Sequence, residues 1–143
     1  MTIAAILKAK GSDVVTVRPS VSLEHAARML AEHQIGSLVV VDAGRKVKGI
    51  LSERDIVRAF AVGGAAGLAN SVESVMTEKV VTARESDTVD QIMAVMTAHR
   101  CRHVPIIEDG ELYGIVSIGD VVKQKLAAAE MEAAAMRAYI TTG

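Results

Sequence analysis

Two heptads carry the residues best able to do chemistry: Gly49-Ile-Leu-Ser52-Glu-Arg54-Asp55 and Gly114-Ile-Val-Ser117-Ile-Gly-Asp120. Each places a serine three residues before an aspartate, after a glycine set inside an apolar run. One reading is structural. Ser-x-x-Asp is a capping box, and the glycine permits close approach of strand and helix. The other reading is a nucleotide site. A helix N-terminus attracts phosphate, a serine hydroxyl can donate to it, and a carboxylate one turn in can accept a ribose diol. Apolar strands alongside would clamp a purine. No reaction is implied by either reading.

A second cluster is Arg100-Cys101-Arg102-His103, before another apolar run. Two permanent charges and one titratable one suit phosphate, although solvated loop charges look the same. Ser117, His103 and Asp120 do not make a convincing triad, because a serine and an aspartate three apart at a helix start serve the backbone first. No catalytic residue is assigned. His25, His33 and His99 lack companions at ligand spacing, so no metal site is expected. Cys101, the only cysteine, excludes an internal disulfide.

The elements that must position these residues repeat. Val14-Val-Thr-Val-Arg-Pro-Ser returns 66 residues on as Val80-Val-Thr-Ala-Arg-Glu-Ser, and the glycine heptad returns after 65. One deletion near Lys46 reconciles the two offsets. Each repeat reads as β-α-β-β-α. A short strand over Val14–Val17 or Val80–Thr82 precedes a helix capped by Ser22 or Thr88. Two apolar runs follow, Ser37–Val41 with Val47–Leu51 and His103–Ile107 with Leu112–Val116, split by turns at Gly44 and Gly110. A second helix starts at Ser52 or Ser117. Helical turns over Ile3–Leu7 and Val72–Thr77 lead into repeats 1 and 2. The expected division is repeat 1 over 1–62, a small-residue linker over 63–71, repeat 2 over 72–125 and a helical extension over 126–143. The fold class is α/β.

The 143 residues carry 16 basic and 17 acidic side chains, a formal charge of −1, which disfavours a general nucleic-acid binder. Aromatics are 2% of the chain (Phe60, Tyr113 and Tyr139), so a flat ligand would lie between aliphatic side chains rather than on a stacking platform. No apolar run nears the ~18 residues of a membrane span, and no secretory leader is evident at Met1, so a cytoplasmic protein is expected.

The duplicated Gly49…Ser52…Asp55 and Gly114…Ser117…Asp120, with Thr16, Thr82 and His103-Val-Pro105-Ile, resemble tandem CBS domains, the Bateman module, and within it the stand-alone bacterial pairs. The resemblance covers roughly residues 1–125. It implies two repeats packed with pseudo-twofold symmetry, clefts between them that take adenosyl ligands, homodimerisation, and regulation of another protein rather than catalysis. AMP and NAD(H) lead the expected ligands, with ADP and ATP behind them. Asp55 and Asp120 would hold ribose; Ser52 and Ser117 would lie near phosphate or ribose; Thr16 and Thr82 would be the polar positions of the first strands. Ser37, Arg54, Arg102, His103 and Pro105 complete the expected binding residues. The repeats differ there: Arg102 and His103 answer to Gly36 and Ser37, Pro105 to Val39, and Arg54 to Gly119. The two clefts should therefore be inequivalent. A small nucleotide-acting enzyme and a purely structural dimerisation module are the alternatives. The surplus helix, with a stripe of Val122, Leu126, Ala129, Ala133 and Met136, is expected at or near a dimer interface.

Overall fold

The computed structural model describes residues 1–142; Gly143, the last residue of the expected extension, lies outside them. The chain runs α1 (Ile3–Lys10), β1 (Thr16–Val17), α2 (Leu23–His33), β2 (Ser37–Val41), β3 (Val47–Ser52), α3 (Glu53–Gly67), a 3₁₀ turn (Val72–Ser74), α4 (Val89–His99), β4 (His103–Glu108), β5 (Glu111–Ser117) and α5 (Ile118–Thr142). The α/β order expected from the sequence is present in full in repeat 1, and in repeat 2 without its first strand.

Local chemistry sets the boundaries. Ser22 accepts from the His25 amide, and Thr88 forms a full capping box with Gln91. α2 and α4 end on Gln34 and Arg100, both in the left-handed region at φ 53° and 66 positions apart. β2 pairs antiparallel with β3 and β4 with β5, with a register shift at Val40/Val41 and at Ile106/Ile107. The deleted residue lies in the hairpin turns. Asp42 holds a longer turn by accepting from the Gly44 and Lys46 amides, while Asp109 and Gly110 make a tight turn with positive φ at both positions.

The first strands differ from expectation. β1 is only Thr16–Val17, parallel to Val39–Val40 of β2. The strand expected over Val80–Thr82 does not form; a single bridge joins Ala83 to Ile106. Pro105 supplies the reason. Its carbonyl accepts from the Ala83 amide, but it has no N–H to continue the parallel ladder, as Val39 can in repeat 1. The expected linker is not a coil throughout either. α3 runs on to Gly67, bent at Gly64 (φ 62°, ψ −153°), and a Cβ at Gly67 would lie 2.6 Å from the Ala59 carbonyl oxygen.

The N-terminal segments cross over. α1 precedes repeat 1 yet packs on repeat 2: Ile3, Ile6 and Leu7 share a core with Val89, Ile92, Met96, Val104 and Val116. The Ile3 and Ala4 amides donate to the Asp87 and Glu85 carbonyls at 2.9 Å. Conversely, Val72, Val75 and Met76 pack in the repeat 1 core with Leu23, Leu30, Leu38 and Leu51. The turns expected to lead into the repeats that follow them are each docked on the other one. The reason is apolar burial: each two-layer repeat leaves one sheet face open, and the turn arriving from the other side covers it. A third cluster, built on Val39, Val41 and Leu112, joins the repeats, and the Leu112 amide donates to the Arg45 carbonyl.

Candidate functional site

Both Ser-x-x-Asp motifs fold as caps. In repeat 1 the Asp55 amide donates to Ser52 Oγ (3.3 Å), and Asp55 Oδ2 accepts from the Ser52 amide (2.8 Å) and hydroxyl (3.0 Å). In repeat 2 the Asp120 amide donates to Ser117 Oγ (3.1 Å) and Asp120 Oδ2 accepts from the Ser117 amide (2.8 Å). The Glu53 and Ile118 amides donate to the carbonyls of Gly36 and Arg102. The first-turn amides offered to phosphate on sequence are therefore largely taken, leaving those of Arg54 and Gly119. Each aspartate keeps its Oδ1 outside the cap. The structural and binding readings of this motif are thus compatible, because the cap uses one carboxylate oxygen and leaves the other.

The glycine at the head of each motif is explained by the crossed-over turns. A Cβ on Gly49 would meet Met76 Sδ at 2.6 Å and the Thr77 carbonyl oxygen at 2.8 Å; one on Gly114 would meet Leu7 Cδ1 at 3.0 Å.

A cleft of about 400 Å³ lies between the repeats, within the range of small-ligand sites. Val14 and Val15 ahead of β1 and Gly36–Ser37 at the start of β2 form one wall; His103, Ile115 and Ser117 form the other, with Lys10 at the end of α1. Lys10 Nζ lies 2.7 Å from Asp120 Oδ2 and donates to the Ile115 carbonyl at 3.0 Å. Burial alone would raise the Asp120 pKa, but the hydrogen bonds from Lys10 and Ser117 outweigh it and hold the carboxyl below its ordinary range. His103 is shifted down, by burial first and then by Lys10 and Arg102, against the opposing pull of Asp120. Burial raises the Cys101 thiol, so flanking arginines do not activate it.

The family model for the CBS domain matches residues 10–62 and 72–126. The chain belongs to the CBS-domain family. A crystal structure of a CBS-domain containing protein from Agrobacterium tumefaciens is 50% identical, with a TM-score of 0.82 over 87% of this chain and 99% of that one. The mitochondrial CBS domain-containing protein CBSX3 of Arabidopsis thaliana is 33% identical over 99% of this chain and 73% of its own. A CBS domain pair crystallised with 5′-methylthioadenosine and S-adenosyl-L-methionine is 28% identical, with a TM-score of 0.76 over 87% of this chain and 98% of that one.

The two CBS repeats distribute the expected residues unequally. Ser37, His103 and Ser117 share the one cleft, and Asp120 joins them through Lys10. Asp55 instead borders a groove of about 350 Å³ with Ala59, Val62 and Val75, its Oδ1 3.8 Å from Arg58. Thr82 borders another, of about 480 Å³, with Arg84, Asp87 and Asp109. Arg54 and Arg102 are exposed; Pro105 is buried in β4, where its role is to stop the ladder; Thr16 is half-buried on β1. Lys10 was not among the expected residues. Its counterpart 66 positions on is Met76, so the crossed-over turn brings no lysine to Asp55, whose nearby cation is Arg58 of its own helix. Nothing local marks Lys10 out: it meets Asp120 only because α1 crosses to the other repeat.

Among the described residues no helix is long and apolar enough to cross a membrane, and no group of His, Cys, Asp and Glu gathers at metal-binding geometry.

Proposed function

We propose that this CBS pair is a cytoplasmic regulatory sensor that binds an adenine nucleotide, AMP or NAD(H) before ADP or ATP, in the cleft between the repeats. It acts without chemistry of its own, as a homodimer, on a protein partner still to be identified. One observation carries the reading: Lys10 and His103 line a largely aliphatic cleft of ligand size, and Lys10 holds there, at its edge, the Asp120 carboxylate, whose other oxygen stays outside the helix cap. Asp120 Oδ1 would accept the ribose diol, Val14, Val15 and Ile115 would flank the base, and Lys10 with His103 would meet phosphate. The adenosine ligands of the related CBS pair support the same class of compound. The Ser117 hydroxyl accepts from the Asp120 amide rather than facing a base, which argues against its use as a nucleophile.

Isothermal titration and thermal unfolding with AMP, NAD(H), ADP, ATP, 5′-methylthioadenosine and S-adenosylmethionine test this. A hundredfold excess over Kd stabilises the fold by about 2.7 kcal/mol. The expected result is a raised melting temperature with AMP and NAD(H), recovered unaltered. Turnover would favour an enzyme; no shift with any compound at millimolar concentration would leave a structural module. Lys10→Met should weaken AMP more than 5′-methylthioadenosine, which has no phosphate.

A further inference from the structure

The distal part of α5 exposes a regular apolar seam. Val122, Leu126, Ala129, Ala133, Met136 and Ile140 follow one another at spacings of four, three, four, three and four, and all are exposed. That is the repeat of a two-stranded coiled coil. The chain's own body leaves the seam uncovered, because the buried Val121 and half-buried Gln124 supply the main contact on an adjacent face, and only Val122 and Leu126, at the seam's start, border α4. Beside it, Met93, Ile118, Val122 and Leu126 line an apolar groove of about 230 Å³ between α4 and α5.

We propose that α5 pairs with α5 of a second copy as an antiparallel coiled coil, in the register that sets Leu126 opposite the second copy's Ala129. This rests on the homodimer of the preceding section and specifies its contact. Charge complementarity selects the occupant and the register. Val122 then faces Ala133, and the flanking positions fall as Lys123 beside Glu130 and Lys125 beside Glu132, each occurring twice by symmetry. Lys123, Glu130 and Glu132 stand in no ion pair within the described residues, whereas Lys125 already pairs with Asp90 of α4, so the Lys123–Glu130 pair carries the selection. The groove selects the direction. In this register Met136 lies opposite Gly119, where no side chain fills the space, and next to Ile118 and Val122 of the groove. A parallel pair would also bring Lys125 to Glu130, but it sets Gly119 against Gly119 and leaves the groove open.

Sedimentation and cross-linking of the full chain test the pairing. Lys123→Glu should weaken the dimer roughly tenfold, and Lys123→Glu with Glu130→Lys should restore it. A parallel pair predicts the opposite for the double variant, since Glu130→Lys would then face Lys125. In a Cys101→Ser background, Val122→Cys with Ala133→Cys should give a covalent dimer on mild oxidation, and Ala133→Cys alone should not. A double charge variant that stays weak, or cross-linking by Ala133→Cys alone, overturns the proposal. A wild-type chain that sediments as a monomer removes the dimer altogether; a dimer indifferent to every one of these changes keeps the dimer and refutes the α5 pairing.

Discussion

At Asp120 a helix cap and a candidate ribose contact share one carboxylate, and two substitutions separate them. Asparagine retains an oxygen for the Ser117 amide but loses the charge that faces Lys10. Alanine loses both. Asp120→Ala should therefore lower stability by about 1 kcal/mol, the usual worth of a cap, as well as binding. Asp120→Asn should keep most of that stability while nucleotide affinity falls roughly tenfold. Urea unfolding and titration calorimetry on both variants read the two effects; equal binding by wild type and Asp120→Asn would remove the carboxylate from the ligand site. His103 gives a pH signature. Burial, Lys10 and Arg102 lower its pKa and Asp120 opposes them, so folding favours the neutral ring. Asp13 is the other titratable group on the cleft. The stability due to His103 is complete above the ordinary value of 6.5 and is lost as pH falls through it towards the lower folded value. Bound phosphate favours the imidazolium, so AMP affinity should rise between pH 7.5 and 6. His103→Gln should flatten both profiles, and unchanged profiles would count against the ring's role.

At the scale of elements, the glycines of the two motifs make one contact with different severity. A Cβ on Gly49 runs into backbone, the Thr77 carbonyl, which is tied to the Ile50 amide at 3.0 Å. A Cβ on Gly114 meets only the end of the Leu7 side chain, which can turn aside. Gly49→Ala should destabilise by about 2–3 kcal/mol and Gly114→Ala by about 1 kcal/mol. Denaturant midpoints compare them directly; a reversed order would mean that α1 is held more rigidly than the turn at Val72. The apolar alternation, caps and hairpins that define these elements were legible from spacing alone. The loss of the strand expected over Val80–Thr82 was not, because its formation depends on whether the neighbouring chain offers an N–H, and Pro105 does not.

At the scale of the whole molecule, the exchange of N-terminal segments makes each repeat depend on the other. Removing residues 1–10 should expose the core of repeat 2, not of repeat 1. Ile3, Ile6 and Leu7 are almost fully buried, so the loss is about 5 kcal/mol at roughly 1.5–2 kcal/mol each. Amide exchange should accelerate first in α4, β4 and β5. Faster exchange confined to α2 and β2 would contradict the packing.

The sequence by itself determined the duplication, the α/β order, the capped motifs and the inequivalence of the repeats. These are properties of local spacing and of position-by-position comparison, and Ser52, Asp55, Ser117 and Asp120 form the helix caps that this spacing predicts. Tertiary structure alone decided which of them share a cleft. Lys10 and Asp120 are 110 residues apart, and no periodicity within α1 reveals the partner that its apolar face will cover. Burial of Ile3, Ile6 and Leu7 against repeat 2 carries Lys10 to Asp120. The matching turn in repeat 1 brings Met76, so one cleft holds a cation where the other side holds a thioether.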